Sequence, residues 1–209
     1  MKALFAPLTH LQTDVKYLTD IAHYRPYILP GFPKYRYTIR DVKTGAVFVT
    51  YGSEVCVLYA ELTVRRLLKH PAKHGIRVEE VVIRTDLGSE FDGTVIYKKD
   101  RGFTHVIEKE LAAHHHLNRP HCPNDNADVE SFRSHGEPEF FDIEDFRDTD
   151  GFRWKITTCR NHRNYGRPNG NKWNKTPLEI LTEAAPHIPM AVATLRLVLR
   201  SEATSQSSK

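Results

Sequence analysis

The chain has 209 residues, 40% of them hydrophobic and 27% charged, with 30 Lys and Arg against 26 Asp and Glu. That length supports one full hydrophobic core, or a core with a tail, and a net charge of +4 does not by itself indicate a nucleic-acid partner. No signal peptide or bilayer-length apolar run is recognisable, and three cysteines without a CxxC pair suit a reducing cytoplasm better than a disulfide scaffold.

The segment 11–18 is rich in β-formers and reads as a first strand, with Asp14 inside it. Pro26, Pro30, Gly31 and Pro33 mark a loop. YRYTIR (35–40) and AVFVTY (46–51) read as strands joined by the hairpin connection DVKTG. Ser53 is a plausible N-cap for a helix in which Val57, Ala60, Val64 and Leu67 recur at helical spacing, up to a stop at His70-Pro71. VEEVVIRTD (78–86) returns to strand and ends on Asp86. A helix is expected over 104–114, a short strand over 115–120, and another helix from Asn124 to about Phe132, capped by Asn124 or Asp125. The order is three strands, a helix, a strand, a helix, a strand and then helices. It predicts an α/β layer in which an antiparallel three-strand meander is extended by parallel strands. SEATSQSSK at the end has the composition of a disordered tail.

Charge is unevenly distributed. Between Glu137 and Asp150 there are seven acids and one base, whereas between Gly151 and Pro177 there are seven bases and no acid. Charge runs are usually solvated helix faces. This basic one also carries Trp154, Tyr165 and Trp173, a mixture suited to tracking a phosphate backbone.

Metal-dependent phosphodiester cleavage needs carboxylates that converge on two divalent ions roughly 3.5–4 Å apart. Asp14 in the first strand and Asp86 at the end of the fourth can meet if those strands are neighbours, and a third acid, Glu130, lies on the helix that follows. Singly, these acids read as an edge-strand residue, a turn acid and an exposed helical Glu; the elements beneath them make the joint reading stronger. Asp41 begins the hairpin turn and is expected to point away from such a site. Asp20, Glu90 and Asp92 read as structural or solvated. His114, His115 and His116 with His121 and Cys122 match no zinc spacing, and alternation along a strand would separate the three histidines.

The segments QTDVKYL, YRYTIRDVKTGAVFVTY, TDLGSEFDG, RPHCPNDNADVESF and KTPLEIL, in that order over about residues 10–182, resemble the catalytic core of retroviral-type integrases and of bacterial insertion-sequence transposases of the DDE class. The resemblance implies an RNase H-like mixed sheet with flanking helices over 1–185 and a partly disordered tail over 186–209. It implies two Mg²⁺ or Mn²⁺ ions held by the catalytic acids Asp14, Asp86 and Glu130, with DNA as substrate. It also implies a homo-oligomer in the active complex and a bacterial cytoplasmic location. DNA contacts are expected from Asn126 and Arg133, and from Arg153, Lys155, Arg160, Arg163, Arg167, Lys172 and Lys175.

The chain departs from the family pattern at several points. Leu87 stands where Asn usually follows the second acid, and 43 residues separate Asp86 from Glu130, about two helical turns more than in the retroviral pattern. Gly136 and Pro138 predict a break or kink between Ser134 and Glu139. The alternative reading is a truncated, catalytically inactive transposase relic that only binds DNA, lacking the usual upstream helix-turn-helix module. A third is a stand-alone RNase H-like nuclease.

Overall fold

The computed structural model describes residues 5–28, 31–92, 102–119 and 127–195. Alternation along β1 (His10–Tyr17) sets the layering, because successive side chains leave opposite faces of the strand. Leu11 and Val15 enter one core, while Gln12, Asp14 and Lys16 face the other side. β2 (Tyr35–Asp41) and β3 (Val47–Gly52) complete an antiparallel meander with β1. β4 (Val82–Thr85) and β5 (His114–Leu117) add parallel strands, giving the order β3-β2-β1-β4-β5. The expected mixed sheet is present.

α1 (Val57–Ala72) starts after Cys56 and not at Ser53, and it runs past His70 to take in Pro71, one residue before its end. A short α2 (Ser89–Asp92) follows β4. α3 (Phe103–His105) widens into a π turn, Val106–Glu110, and ends before the expected 114 because Ala112 adopts a left-handed φ of 57°. α4 (Ala127–Gly136) passes into a second π turn, Glu137–Phe141. The predicted interruption is thus a change of helical register and not a stop. A wider turn accommodates Pro138, which lacks an N–H and would crowd the i−4 carbonyl of an α-helix. α5 (Thr149–Asn161), a π turn at His162–Gly166, α6 (Pro177–Ala184) and a 3₁₀ turn at Met190–Ala193 complete the chain order.

Each face of the sheet carries its own core. One packs Leu11, Ile39, Phe48 and Ile83 against Val64, Leu67 and Leu68 of α1 and Phe103 and Ile107 from the α3 region. The other is aromatic: Tyr24, Phe141, Phe146 and Phe152 meet in tilted and edge-to-face contacts under β3, with the Tyr24 hydroxyl donating to Pro33 O at 2.9 Å. β3 is an edge strand, and its backbone is covered by a side chain. Asn164 accepts from Val47 N at 2.9 Å and donates to Val47 O at 3.0 Å and Ala193 O at 3.2 Å. The tail expected from 186 lies partly inside the packed structure: Ile188, Val192 and Leu195 are buried in the first core, each contributing roughly 1.5–3 kcal/mol as an upper bound.

Candidate functional site

The two strand acids come from adjacent, parallel strands. His10, Leu11 and Gln12 lie beside Val82, Ile83 and Arg84, so β1, which continues through Asp14, runs alongside β4, which Asp86 directly follows. Asp14 is buried, on the face it shares with Gln12. Asp86 follows the last residue of β4, is exposed, and accepts from Gly88 N at 3.0 Å. The turn chemistry of Gly88 and the acid at the strand end are therefore one feature, an Asx turn. Leu87 projects outward, 47% exposed.

The helix bearing Glu130 is docked onto β1 by a residue that pattern reading missed. Gln12 Oε1 accepts from the backbone N–H groups of Asp128 at 3.0 Å and Val129 at 3.1 Å. These are two of the donors that a helix N-terminus leaves without intrahelical partners, so Gln12 acts as a cap supplied from another element. Arg40 Nη1 donates to Asp128 O and ties the same turn to β2. The only sequence signal was a polar residue two positions before Asp14, on the same strand face. Glu130 lies in the same first turn of α4 and is exposed. Among the described residues no three His, Cys, Asp or Glu side chains are gathered into a ready metal cage. Asp14 lies within β1, Asp86 just past the end of β4 and Glu130 in the first turn of α4, and the three close no cage.

Glu90 shares the loop with Asp86. It is buried, which favours the structural over the solvated reading, and its pKa is raised first by burial and then by the charge of Asp86. Gly88 permits this approach, since a Cβ there would lie 2.8 Å from the Glu90 carboxyl. The side chain of Asp92 lies outside the described residues, and Asp20 is exposed. Asp41 is a turn residue, as expected: fully buried, it accepts from Leu8 N at 3.1 Å, Thr44 N at 2.8 Å and Thr44 Oγ1 at 2.7 Å. His115 turns inward to Thr85 and Thr104, while His114 and His116 are exposed; His121 and Cys122 lie outside the described residues.

The basic stretch has largely internal partners. Lys155 pairs with Glu144 at 2.5 Å, Arg153 with Asp150 at 3.2 Å, Arg163 with Glu139 at 2.6 Å and Lys175 with Glu183 at 2.6 Å; Arg167 also pairs with Glu139. The acidic run thus folds onto the basic one. Two of the expected DNA contacts need correction. Arg160 is buried and donates to Leu195 O, and Lys172 is buried and donates to Val42 O, so neither is presented to an external phosphate. The pairs of Arg153, Lys155, Arg167 and Lys175 are partly exposed and worth only ~0–1 kcal/mol each, so phosphates can displace them at little cost, whereas the Arg163 side chain is only 11% exposed. Asn126 and the Arg133 side chain lie outside the described residues.

The sheet order, its mixed pairing and the flanking helices define an RNase H-like α/β fold of the kind found in retroviral integrase catalytic cores. Solved structures share it, two of which follow. One is a chain of the simian T-cell lymphotropic virus intasome in complex with PP2A regulatory subunit B56 gamma, with TM-score 0.56, 18% identity and coverage of 84% of this chain and 54% of that one. The other is the catalytic core domain of BIV integrase, with TM-score 0.52, 16% identity and coverage of 84% and 95%. The chain therefore spans about half the length of the intasome chain it matches. No family model and no curated protein matches the sequence. No helix among the described residues is long and apolar enough to cross a membrane.

Proposed function

We propose that this chain is the catalytic core of a DDE-type DNA transposase or integrase, a polynucleotidyl transferase that nicks DNA and joins the freed end to target DNA. The observation that supports this reading is the parallel pairing of β1, which carries Asp14, with β4, which Asp86 follows, on a sheet whose Gln12 holds the helix of Glu130. Three carboxylates are the hard-oxygen donors that Mg²⁺ or Mn²⁺ takes, and Asp14, Asp86 and Glu130 would hold the ions. Bound there, two ions would supply an activated water and neutralise charge on the attacking and leaving oxygens. The chain's own share is positional. Asp14 is fixed by the sheet, Asp86 by its Asx turn, and Glu130 by the capped helix, whose final approach is left to the loaded complex.

DNA is the proposed substrate, gripped without regard to sequence by Arg153, Lys155, Arg163, Arg167 and Lys175 as they exchange internal carboxylates for phosphates. Trp154 and Trp173, 68% and 64% exposed, offer faces on which unpaired bases can stack. A homo-oligomer is proposed for the active complex, in a bacterial cytoplasm.

The test uses a labelled DNA duplex, a target duplex and an RNA–DNA hybrid, with Mg²⁺ or Mn²⁺ and with chelator. Nicking and joining of DNA only with metal support the proposal. Cleavage confined to the hybrid would make the chain a nuclease of the RNase H type. DNA binding with no cleavage in either metal would make it a binding relic.

A further inference from the structure

A cavity of about 230 Å³ opens between the β2–β3 edge, α4 and the turn after α5, on the sheet face opposite α1. Its polar lining is Arg40, Ser131, Arg163, Arg167, Asn169 and Asn171. Behind it, three guanidinium groups crowd the ring of Phe132: Arg36 at 5.4 Å, Arg40 at 6.0 Å and Arg163 at 5.0 Å from the centroid. Arg36 is 3% and Arg40 7% exposed, and the Nε of each is buried without a hydrogen-bond partner.

Burying a charge is costly unless it is paired and its donors are met. Stacking on Phe132 offsets part of that cost but gives an Nε–H nothing to donate to. Among the described residues Glu139 serves both Arg163 and Arg167, and Asp128 lies 3.8 Å from Lys172. Asp128 and Asp41 both act on the buried Arg40.

We propose that this cavity binds a tetrahedral oxyanion, a phosphoryl group, with Arg40, Arg163 and Arg167 as charged donors and Ser131, Asn169 and Asn171 completing the shell. Planar guanidinium forks approaching from several directions match a phosphate's oxygens, and the surrounding hydroxyl and amides add neutral donors. The space is several waters in size, so a single phosphoryl group enters without displacing the fold. The phosphate comes either from the backbone of a bound nucleic acid or from free inorganic phosphate. The inference needs neither metal ions nor strand cleavage, and it stands if the chain proves to be catalytically inactive.

The test is titration of the full chain with inorganic phosphate, followed by calorimetry and ³¹P NMR, against chloride at matched ionic strength. Saturable binding of one phosphate per chain is expected. Arg167→Gln and Asn171→Asp, both at the rim, should each weaken it at least tenfold, with the thermal transition in chloride showing that the variants remain folded. Phosphate binding no better than chloride overturns the site. So does a folded Asn171→Asp variant that binds phosphate as the parent does. Competition by a short unlabelled duplex identifies the source: displacement of inorganic phosphate supports a backbone phosphate as the occupant, and simultaneous binding supports the free ion.

Discussion

Removing the carboxamide of Gln12 tests the link between the strand acids and the helix of Glu130. In Gln12→Ala the N–H groups of Asp128 and Val129 lose the acceptor that now lies 3.0 and 3.1 Å away in a buried setting. An unsatisfied buried donor costs ~1–3 kcal/mol, and loss of an ordinary helix cap ~0.5–2 kcal/mol. Two stranded donors at one helix start therefore predict a loss of roughly 2–4 kcal/mol, since the smaller side chain lets water reach part of the turn. For a chain of this size that lowers the melting temperature by roughly 5–15 °C. Gln12→Glu keeps an acceptor in place and puts a negative charge at the positive end of α4, beside Arg40, so it should recover most of the loss at neutral pH. Thermal unfolding gives the magnitude, and hydrogen exchange at the amides of 128 and 129 locates it. A loss below about 0.5 kcal/mol, within the range of ordinary surface substitutions, with unchanged protection of those amides, would refute the reasoning.

Three further expectations follow from side chains that hold the frame. Asn164→Ala strips the β3 edge of both its partners at Val47 and the contact to Ala193, so it should cost roughly 2–4 kcal/mol in denaturant unfolding, whereas an Asn164→Ala variant as stable as the parent would contradict the edge-cover account. Arg160→Gln should leave DNA affinity nearly unchanged but expose the chain beyond Ala185 to limited proteolysis, because Arg160 holds Leu195; an affinity loss without faster cleavage would reverse that assignment. Glu179 accepts from Thr176 N and Thr176 Oγ1, which holds its pKa below the usual 4.5; its stabilisation is present above 4.5 and disappears as pH falls through the lower folded value, so the stability gap between parent and Glu179→Gln should close in acid.

Much of the frame was legible because its signals are local. The β1–β3 meander and α1 follow from alternation and helical spacing, and the hairpin from its Asp-Val-Lys-Thr-Gly connection. The end of α3 was not, because Ala112 takes a left-handed φ with no Gly or Asn to mark it. Pro138 marked the right place in α4 but not the outcome, since a π turn carries the helix on. In the candidate site the placement of Asp14 in β1 and of Asp86 just after β4 could be read from element order. Gln12 could not, because a lone glutamine in a strand gives no sign that it caps a helix more than a hundred residues away. In the basic stretch the burial of Arg160 and Lys172 and the pairing of Arg163 and Arg167 with Glu139 were hidden for the same reason: they exist only once distant segments have met.

The claim that matters most is that Asp14, Asp86 and Glu130 act together on DNA. The direct measurement is single-turnover nicking of a labelled duplex in Mn²⁺ by the parent and by Glu130→Gln, with non-specific DNA affinity measured alongside. Glu130→Gln is nearly isosteric and its residue is exposed, so folding and DNA affinity should match the parent while nicking falls at least a hundredfold. Cleavage by Glu130→Gln at the parental rate would contradict the account.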